Sequence, residues 1–383
     1  MMKFSYYNPT RIQFGANTIA SIATLIPKES KVLVTYGGGS IKKNGIYDQV
    51  KDALKDYEWH EFSGIEPNPL VETLDKAVAV AKEKKIDFIL AVGGGSVIDG
   101  SKYIAAAALY DGEGWDILEK KHIVTKALPL GAILTLPATA SESNPTAVIS
   151  RKSTQTKLAF SSSAVYPKFA VLDPSAMVTL PERQIANGLV DSFIHTCEQY
   201  LTYPVGALVQ DGYCETLLRT LKHLIERFNE HDDLLWQENL MWAANQGLSG
   251  LIGVGVPQDW ATHRIGHELT AMFGIDHART LTIVQPALLR EMISDKAAKL
   301  SQMGRNVFHL PQTSDIAEKT IDAIEALYRS IGMPVRFSDC EITDPETPAK
   351  LVAALKEHNM IALGEKGNIT PEISEKILTK AMR

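Results

Sequence analysis

The feature that most constrains the fold of this chain is a pair of largely apolar runs, each followed directly by Gly-Gly-Gly-Ser. Residues 31–36 precede the first loop and residues 86–92 the second. The loops are Gly37, Gly38, Gly39 and Ser40, and Gly93, Gly94, Gly95 and Ser96. Strands without polar alternation are typical of a parallel sheet covered on both faces. The chain is therefore predicted to begin with an α/β layer.

The second glycine loop has the features of a phosphate site. It follows a predicted strand and opens an alanine-rich helix over residues 97–109. Glycines there allow backbone N–H groups to approach a pyrophosphate, whose charge the helix N-terminus stabilises. The alternative is a tight turn that needs small residues for steric reasons alone.

The first glycine loop carries no carboxylate where many dinucleotide enzymes hold the adenosine ribose. Ser40, Lys42 and Lys43 stand there instead. An acidic group would repel a 2′-phosphate, whereas a hydroxyl and ammonium groups attract one. This favours NADP(H) over NAD(H), unless the two lysines form an ordinary solvated helix face.

The predicted secondary structure changes from alternating strands and helices to helices alone near residue 180. Further strands are predicted at residues 130–136 and 169–172, and a helix at 48–55. Beyond Pro181 the patterns are helical, at residues 184–200, 232–248, 280–293 and 316–331. We therefore predict an α/β dinucleotide-binding domain with a mostly parallel sheet over residues 1–180. An all-helical domain is expected over residues 181–383, with the active site in the cleft between them.

Composition excludes several classes of protein. The net charge of −6 argues against a nucleic-acid binder, which needs a clustered basic surface. No apolar stretch reaches the roughly 18 residues that span a bilayer, and the start lacks the apolar region of a signal peptide. Three cysteines are too few and scattered for a disulfide framework. A cytoplasmic enzyme without membrane or nucleic-acid partners is expected.

Acidic and imidazole side chains recur at helical spacing in the second half. Asp191 and His195 lie four residues apart, on one face of the predicted helix. His263 and His267 repeat the spacing, and His277 follows. Carboxylate and imidazole ligands without thiolate suit Zn²⁺ or Fe²⁺. The alternative is capping, salt-bridge or core residues; spacing alone selects His263 and His267 as paired ligands.

Separated motifs, in order, resemble those of the iron-containing (group III) alcohol dehydrogenases. They are Gly93-Gly94-Gly95-Ser96-x-x-Asp99, Thr135-x-x-x-Thr139-Ala140-Ser141-Glu142, Asp191-x-x-x-His195 and His263-x-x-x-His267 with His277. Within the family, the chain is most similar to the NADP-dependent butanol dehydrogenase and broad-range aldehyde reductase branch. The resemblance runs from Pro9 to the C-terminus. It implies a fold like that of dehydroquinate synthase, with a helical metal-binding domain.

The resemblance also implies roles for individual residues. The implied metal ligands are Asp191, His195, His263 and His277. His267 becomes a residue near the metal, either a proton relay or a core histidine, and Asp99 either orients the nicotinamide or caps backbone N–H groups. The implied nucleotide contacts are Gly37, Gly38, Gly39, Ser40, Asn68, Gly94, Gly95, Ser96, Asp99, Thr135, Thr139, Lys157 and Thr179. Leu136 stands where the family usually has a threonine.

The activity implied is reversible hydride transfer between NADP(H) and a small aldehyde or primary alcohol, with one Fe²⁺ or Zn²⁺ ion and a homodimeric assembly. Trp260, Phe193 and Met272 predict an apolar substrate pocket. The alternatives are a glycerol dehydrogenase-like or dehydroquinate synthase-like enzyme of the same fold, or a catalytically silent nucleotide-binding or assembly protein.

Overall fold

The computed structural model describes residues 1–154 and 156–382 and divides the chain into two compact units. The sheet unit comprises residues 7–181 and 232–245, and the helical unit comprises residues 1–6, 182–231 and those from Gln246 onward. A single division of the chain near residue 180 would therefore assign two segments to the wrong unit. The first is the N-terminal stretch 1–6, and the second is most of one helix.

A six-stranded, fully parallel sheet is the centre of the sheet unit, in the order β1-β8-β5-β4-β2-β3. The other two strands form an antiparallel hairpin. The strands are β1 (Arg11–Phe14), β2 (Lys31–Tyr36), β3 (Glu58–Phe62), β4 (Phe88–Gly93), β5 (Leu130–Leu134), β6 (Thr146–Arg151), β7 (Thr156–Ser161) and β8 (Phe169–Leu172). The predicted parallel α/β fold is confirmed.

The strand order places the two glycine loops side by side. Strands β2 and β4 are paired in the sheet, with Tyr36 opposite Val92, so the loops that follow leave the same edge. From β2 the chain runs outward to β3, whereas β4 leads to β5 on the other side. This reversal is the topological switch point at which open α/β sheets bind ligands.

Among the described residues of the sheet unit, four α-helices connect the strands. They are α1 (Ile22–Leu25), α2 (Ile46–Ala53), α3 (Val71–Glu83) and α4 (Gly95–Ala107). Helix α4, which follows the second glycine loop, packs on β4 and is buried along almost its whole length. Its small side chains permit this close approach, as the alanine-rich sequence predicts.

The rest of the chain, as far as the structure describes it, is helical. Its helices are α5 (Glu182–Tyr200), α6 (Leu208–Glu226), α7 (Leu234–Leu248), α8 (Ala261–Phe273), α9 (His277–Glu291), α10 (Ile293–Asn306), α11 (Ile316–Ser330), α12 (Thr347–Glu357) and α13 (Pro371–Ala381). The predicted helical second half is confirmed. In the described ranges no helix combines the length and the hydropathy that crossing a bilayer requires.

Candidate functional site

Helix α5 supplies the first part of the candidate site, in the helical unit. Asp191 and His195 lie one turn apart on this helix, which is buried from Ile185 to Tyr200. The Asp191 Oδ1 atom lies 3.6 Å from His195 Nε2. Two polar groups that face each other in a buried helix require further polar partners, because their desolvation is otherwise uncompensated.

Those further partners are two imidazoles from the next part of the helical unit. His263, in the first turn of α8, has its Nε2 atom 3.6 Å from Asp191 Oδ1. His277, the first residue of α9, has its Nε2 atom 3.9 Å from the same oxygen. Three imidazole nitrogens thus surround one carboxylate oxygen.

The donor atoms at this point fit a divalent cation. Ligand atoms of Asp191, His195 and His263 all lie within 4.8 Å of one another. Asp191 Oδ1 and His263 Nε2 are buried and have no hydrogen-bond partner among the described residues. Buried polar atoms are rarely left in that condition, and a cation satisfies both. Oxygen and nitrogen donors of this kind suit Zn²⁺ or Fe²⁺.

The local electrostatics also favour positive charge at this point. Burial acts to raise the pKa of Asp191, but His195 and the other imidazoles outweigh it and hold the pKa below its usual range. Burial acts to lower the pKa of His263, but the carboxylates of Glu198 and Asp191 outweigh it and raise the pKa to about 9. The negative field that favours a proton on this imidazole also favours a metal ion.

His267 lies beside this cluster. It is one helical turn beyond His263 and partly exposed. Its ring centroid is 5.1 Å from that of His277 and 6.3 Å from that of His263. Neither His267 nor His277 belongs to the group of three mutually close ligand atoms, but His277 Nε2 lies 3.9 Å from Asp191 Oδ1. The pairing of His263 with His267 that spacing alone selects therefore differs from the geometry, in which Asp191 and His195 of another helix lie next to His263.

Glu198 is a residue of this site that the sequence reasoning missed. Its side chain is buried on α5, where one oxygen faces His263 Nδ1 and the other accepts the Thr262 N–H at 2.7 Å. Its position, seven residues after Asp191 on the same helix, places it on the same face as the other two site residues. That spacing was the available signal.

Two aromatic residues and one methionine were expected to form an apolar pocket, and the structure separates them. The Trp260 ring centroid lies 5.4 Å from that of His263 and 6.1 Å from that of His195. Its backbone is left-handed, with φ of 63°, and the indole N–H donates to Gln258. Phe193, by contrast, is fully buried against Tyr328 and belongs to the core. Met272 is exposed on α8.

The glycine loops of the sheet unit bring together several of the predicted nucleotide residues. Gly94 directly precedes α4, and a Cβ added at Gly95 would lie 2.4 Å from Thr139 Oγ1. The Asn68 N–H donates to Ser96 Oγ at 3.3 Å, and Lys157 Nζ donates to Asn68 Oδ1 at 2.8 Å. The second glycine loop, the bend that contains Asn68 and the β6–β7 hairpin thus meet at the carboxyl end of β4.

The predicted threonines lie at the same sheet edge. The Thr135 N–H donates to the Gly93 carbonyl at 3.1 Å. The Thr179 hydroxyl accepts from Asn44, just beyond the first glycine loop. Leu136, which replaces the usual threonine, lies against Gly94, where an added Cβ would be 3.1 Å from the leucine Cβ. The apolar Leu136 side chain therefore lies against the start of α4.

The first glycine loop is more open than the second. Cβ atoms added at Gly38 or Gly39 would meet nothing within 4 Å. Lys42 does not present a free charge there, because its ammonium lies 3.4 Å from Glu61 and 4.6 Å from the centre of the Tyr47 ring. Contact with Tyr36, and to a smaller degree the charge of Glu61, raises the pKa of Lys42. The charge argument thus depends on Ser40 and Lys43, which are exposed.

Asp99 is held by the protein itself. It lies in the second turn of α4, where its carboxylate accepts the Ser141 hydroxyl and the Val148 N–H. Lys102 Nζ donates to the same serine and to the Thr146 carbonyl. Burial raises the pKa of Asp99 and lowers that of Lys102 to about 8. Of the two predicted roles, these contacts favour binding of a backbone N–H group, here that of Val148 in β6.

Comparison with known proteins gives consistent results along the whole chain. The model of the family "Iron-containing alcohol dehydrogenase" matches residues 9–174, and that of "Fe-containing alcohol dehydrogenase family, C-terminal" matches residues 185–382. The NADPH-dependent aldehyde reductase YqhD of Escherichia coli is 50% identical, with 100% of both chains covered. The probable NADH-dependent butanol dehydrogenase 1 of Bacillus subtilis is 41% identical, covering 90% of this chain and 92% of its own.

Solved structures show the same fold. The crystal structure of E. coli K-12 YqhD superposes with a TM-score of 0.97, at 49% identity and with 99% of each chain covered. These relatives use different nicotinamide cofactors by name, NADPH for the E. coli protein and NADH for the probable B. subtilis enzyme, so cofactor preference varies within the family.

Proposed function

This chain belongs to the iron-containing alcohol dehydrogenase family, and on that premise we propose that it reduces small aldehydes to primary alcohols with NADPH, reversibly. The observation that carries the proposal is the cluster of three imidazoles around the buried Asp191 Oδ1 atom. It occurs in a chain that aligns over its full length with an NADPH-dependent aldehyde reductase.

The proposed metal ligands are Asp191, His195, His263 and His277, for one Fe²⁺ or Zn²⁺ ion. When bound, such an ion polarises the carbonyl group of an aldehyde and, in the reverse direction, lowers the pKa of the alcohol. The chain's own contribution is to hold the buried Asp191, His195 and His263 and the partly exposed His277 close together, so that the ligands need little rearrangement on binding. Trp260 supplies an apolar wall beside two of these imidazoles.

The proposed cofactor site lies at the carboxyl ends of β2, β4 and β5. The backbone of residues 94–96 at the start of α4 binds the pyrophosphate, and the loop 37–40 binds the adenosine ribose. Without a carboxylate in that loop, a 2′-phosphate meets Ser40 and Lys43, and this supports NADPH. The remaining proposed contacts are Asn68, Thr135, Thr139, Lys157 and Thr179.

NADPH, when bound, would supply the hydride for the carbonyl carbon, and a proton from solvent would reach the carbonyl oxygen, giving the alcohol and NADP⁺. We propose His267 as the residue that exchanges this proton with solvent, because it lies beside His263 and His277 and is partly exposed. Asp99 is proposed to position β6 next to the second glycine loop through the Val148 N–H.

The test is a panel of small aldehydes with NADPH and NADH, run on metal-stripped protein reloaded separately with Fe²⁺ or Zn²⁺. Aldehyde-dependent loss of the reduced-nicotinamide absorbance, requiring metal and faster with NADPH, is the expected result. Turnover without net change in that absorbance would point instead to a dehydroquinate synthase-like reaction. Binding of NADPH without any turnover would indicate a silent nucleotide-binding protein.

We also propose that the enzyme is a cytoplasmic homodimer. Strand β1 is at the edge of the sheet, and Phe14 at its end is exposed and packs edge-on against the exposed Trp242. An exposed strand edge flanked by aromatic side chains is suited to pairing with a second copy. The three free cysteines suit a reducing compartment. Light scattering after size exclusion is expected to give twice the chain mass, and fractionation of cells tests the location.

A further inference from the structure

The Glu198 carboxylate lies directly behind one of the proposed metal ligands. Its side chain is 3% exposed, and its Oε2 atom faces His263 Nδ1. Its Oε1 atom accepts the Thr262 N–H at 2.7 Å, and its backbone carbonyl accepts the Asp259 N–H at 2.9 Å. Glu198 therefore connects α5 to the start of α8 in three ways: through Asp259 just before α8, through Thr262 in its first turn, and through His263.

The position of this carboxylate determines which nitrogen of His263 carries a proton. An ionised carboxylate only accepts hydrogen bonds, so Nδ1 must be the protonated nitrogen. A divalent cation at Nε2 would displace any proton there and take the lone pair of that nitrogen, while Nδ1 keeps its proton. The Nε2 atom points toward Asp191 Oδ1, 3.6 Å away, and has no hydrogen-bond partner among the described residues. The geometry is that of a carboxylate–histidine–metal arrangement.

Charge balance gives Glu198 a second role. Asp191 and Glu198 are both buried on the same face of α5, and together they place two negative charges next to the imidazole cluster. Buried charges are retained when they are paired, and a divalent cation at the Nε2 side of His263 pairs both. Asp191 reaches such a cation directly and Glu198 reaches it through the imidazole ring.

We propose that Glu198 is a positioning residue for the metal ion: it fixes the tautomer and ring orientation of His263 and raises the affinity of the site for a divalent cation. The proposal rests on the metal site of the proposed function. It assigns to Glu198 no contact with substrate or cofactor, so its effect is on metal binding first and on turnover only as a consequence.

The test measures Zn²⁺ affinity of metal-stripped protein by competition with a chromophoric chelator. Glu198→Ala and Glu198→Gln are each expected to bind Zn²⁺ roughly 10–100-fold more weakly than the wild type, as is usual for loss of a partner behind a ligating histidine. If Glu198→Ala fails to fold, Glu198→Gln alone decides, because it keeps the size of the side chain. Variants that bind Zn²⁺ as tightly as the wild type would overturn the proposal.

A matched control separates this role from the general cost of losing a buried carboxylate. Glu215 is also buried in the helical unit, where it accepts hydrogen bonds from Tyr200, Gln302 and Asn306. Glu215→Gln is expected to bind Zn²⁺ with wild-type affinity. A loss of affinity equal to that of Glu198→Gln would show that the effect is not specific to the metal site.

Nuclear magnetic resonance of protein labelled with ¹⁵N-histidine and loaded with Zn²⁺ gives a readout independent of turnover. One Nδ1–H signal of the wild type should disappear in Glu198→Ala and persist in Glu215→Gln. An unchanged histidine spectrum in Glu198→Ala would contradict the tautomer assignment. Failure of the wild type to bind Zn²⁺ would refute the proposed metal site as well, whereas wild-type binding with unaffected variants refutes the role of Glu198 alone.

Discussion

Gly38 and Gly39 are neighbours in the first glycine loop, but they differ in what they tolerate. Gly39 has φ of +90°, a left-handed conformation that strains any residue with a side chain. The Gly38 backbone is not in the left-handed conformation, and a Cβ atom added there would meet nothing within 4 Å. A side chain at residue 38 can therefore be introduced without distorting the loop. Substitutions at this position thus test the preference for NADPH over NADH without a change in the backbone.

Gly38→Asp is expected to reduce kcat/KM for NADPH far more than for NADH, because the new carboxylate repels the 2′-phosphate. A shift of the NADPH-to-NADH ratio by roughly 10–100-fold corresponds to about 1.4–2.8 kcal/mol. Steady-state kinetics with both cofactors measure it. Gly38→Asn is the control of equal size without charge. If it shifts the ratio as much as Gly38→Asp does, the 2′-phosphate assignment is wrong.

The position of His277 shows what residue spacing does not reveal. His267 follows His263 by one turn of the same helix, and that regularity made it the obvious second ligand. His277 instead begins α9, after the left-handed Gly274 ends α8. Asp276 directs this turn, since it accepts hydrogen bonds from Arg183 and Asn187 at the start of α5. The approach of His277 to Asp191 thus depends on contacts between distant segments.

At the scale of elements, central strands were predictable and edge strands were not. The predicted strands at residues 31–36, 86–92, 130–136 and 169–172 correspond to β2, β4, β5 and β8, whose buried residues are nearly all apolar. The edge strands β1 and β3 are partly exposed, so their sequences carry no distinctive apolar pattern. The hairpin β6–β7 was missed for the same reason.

The helices that carry the metal-site residues are joined by a buried lysine. Lys296 of α10 is 2% exposed and its ammonium lies 2.7 Å from Asp259, just before α8, and 3.1 Å from Glu365. It also donates to the carbonyl of Leu201, the residue after α5. Burial acts to lower the pKa of Lys296, but the two carboxylates outweigh it and raise the pKa. One cation thus holds the end of α5 and the start of α8.

Lys296→Met is expected to destabilise the protein by about 3–5 kcal/mol, because it leaves two buried carboxylates without their cation. Urea denaturation measures the free energy of unfolding. Lys366→Met is the matched control: its ammonium lies 3.0 Å from Asp295 on the surface, and exposed pairs contribute about 1 kcal/mol or less. Equal losses in the two variants would mean that the buried triad has no special role in holding these helices.

For the whole molecule, metal binding and stability should be linked. A cation that binds the folded chain but not the unfolded one stabilises it by about 2.7 kcal/mol at a concentration 100-fold above Kd. Adding Zn²⁺ to metal-stripped protein should therefore raise Tm in differential scanning fluorimetry. His263→Ala should fold and show little of this increase. An equal rise in Tm for both proteins would place the stabilising ion elsewhere.

The sequence by itself determined the class of fold and the chemical types at the site. Apolar runs, glycine loops and helical spacing are local patterns, and local patterns are set by neighbouring residues. Only the tertiary structure decided which groups meet. It places His277 next to Asp191 Oδ1 and Glu198 behind His263. It also places Glu61 beside Lys42 and buries Phe193 in the core. Each of these contacts joins segments that are far apart along the chain or reflects a direction of packing. Such contacts arise when helices and strands pack, and no local pattern encodes them.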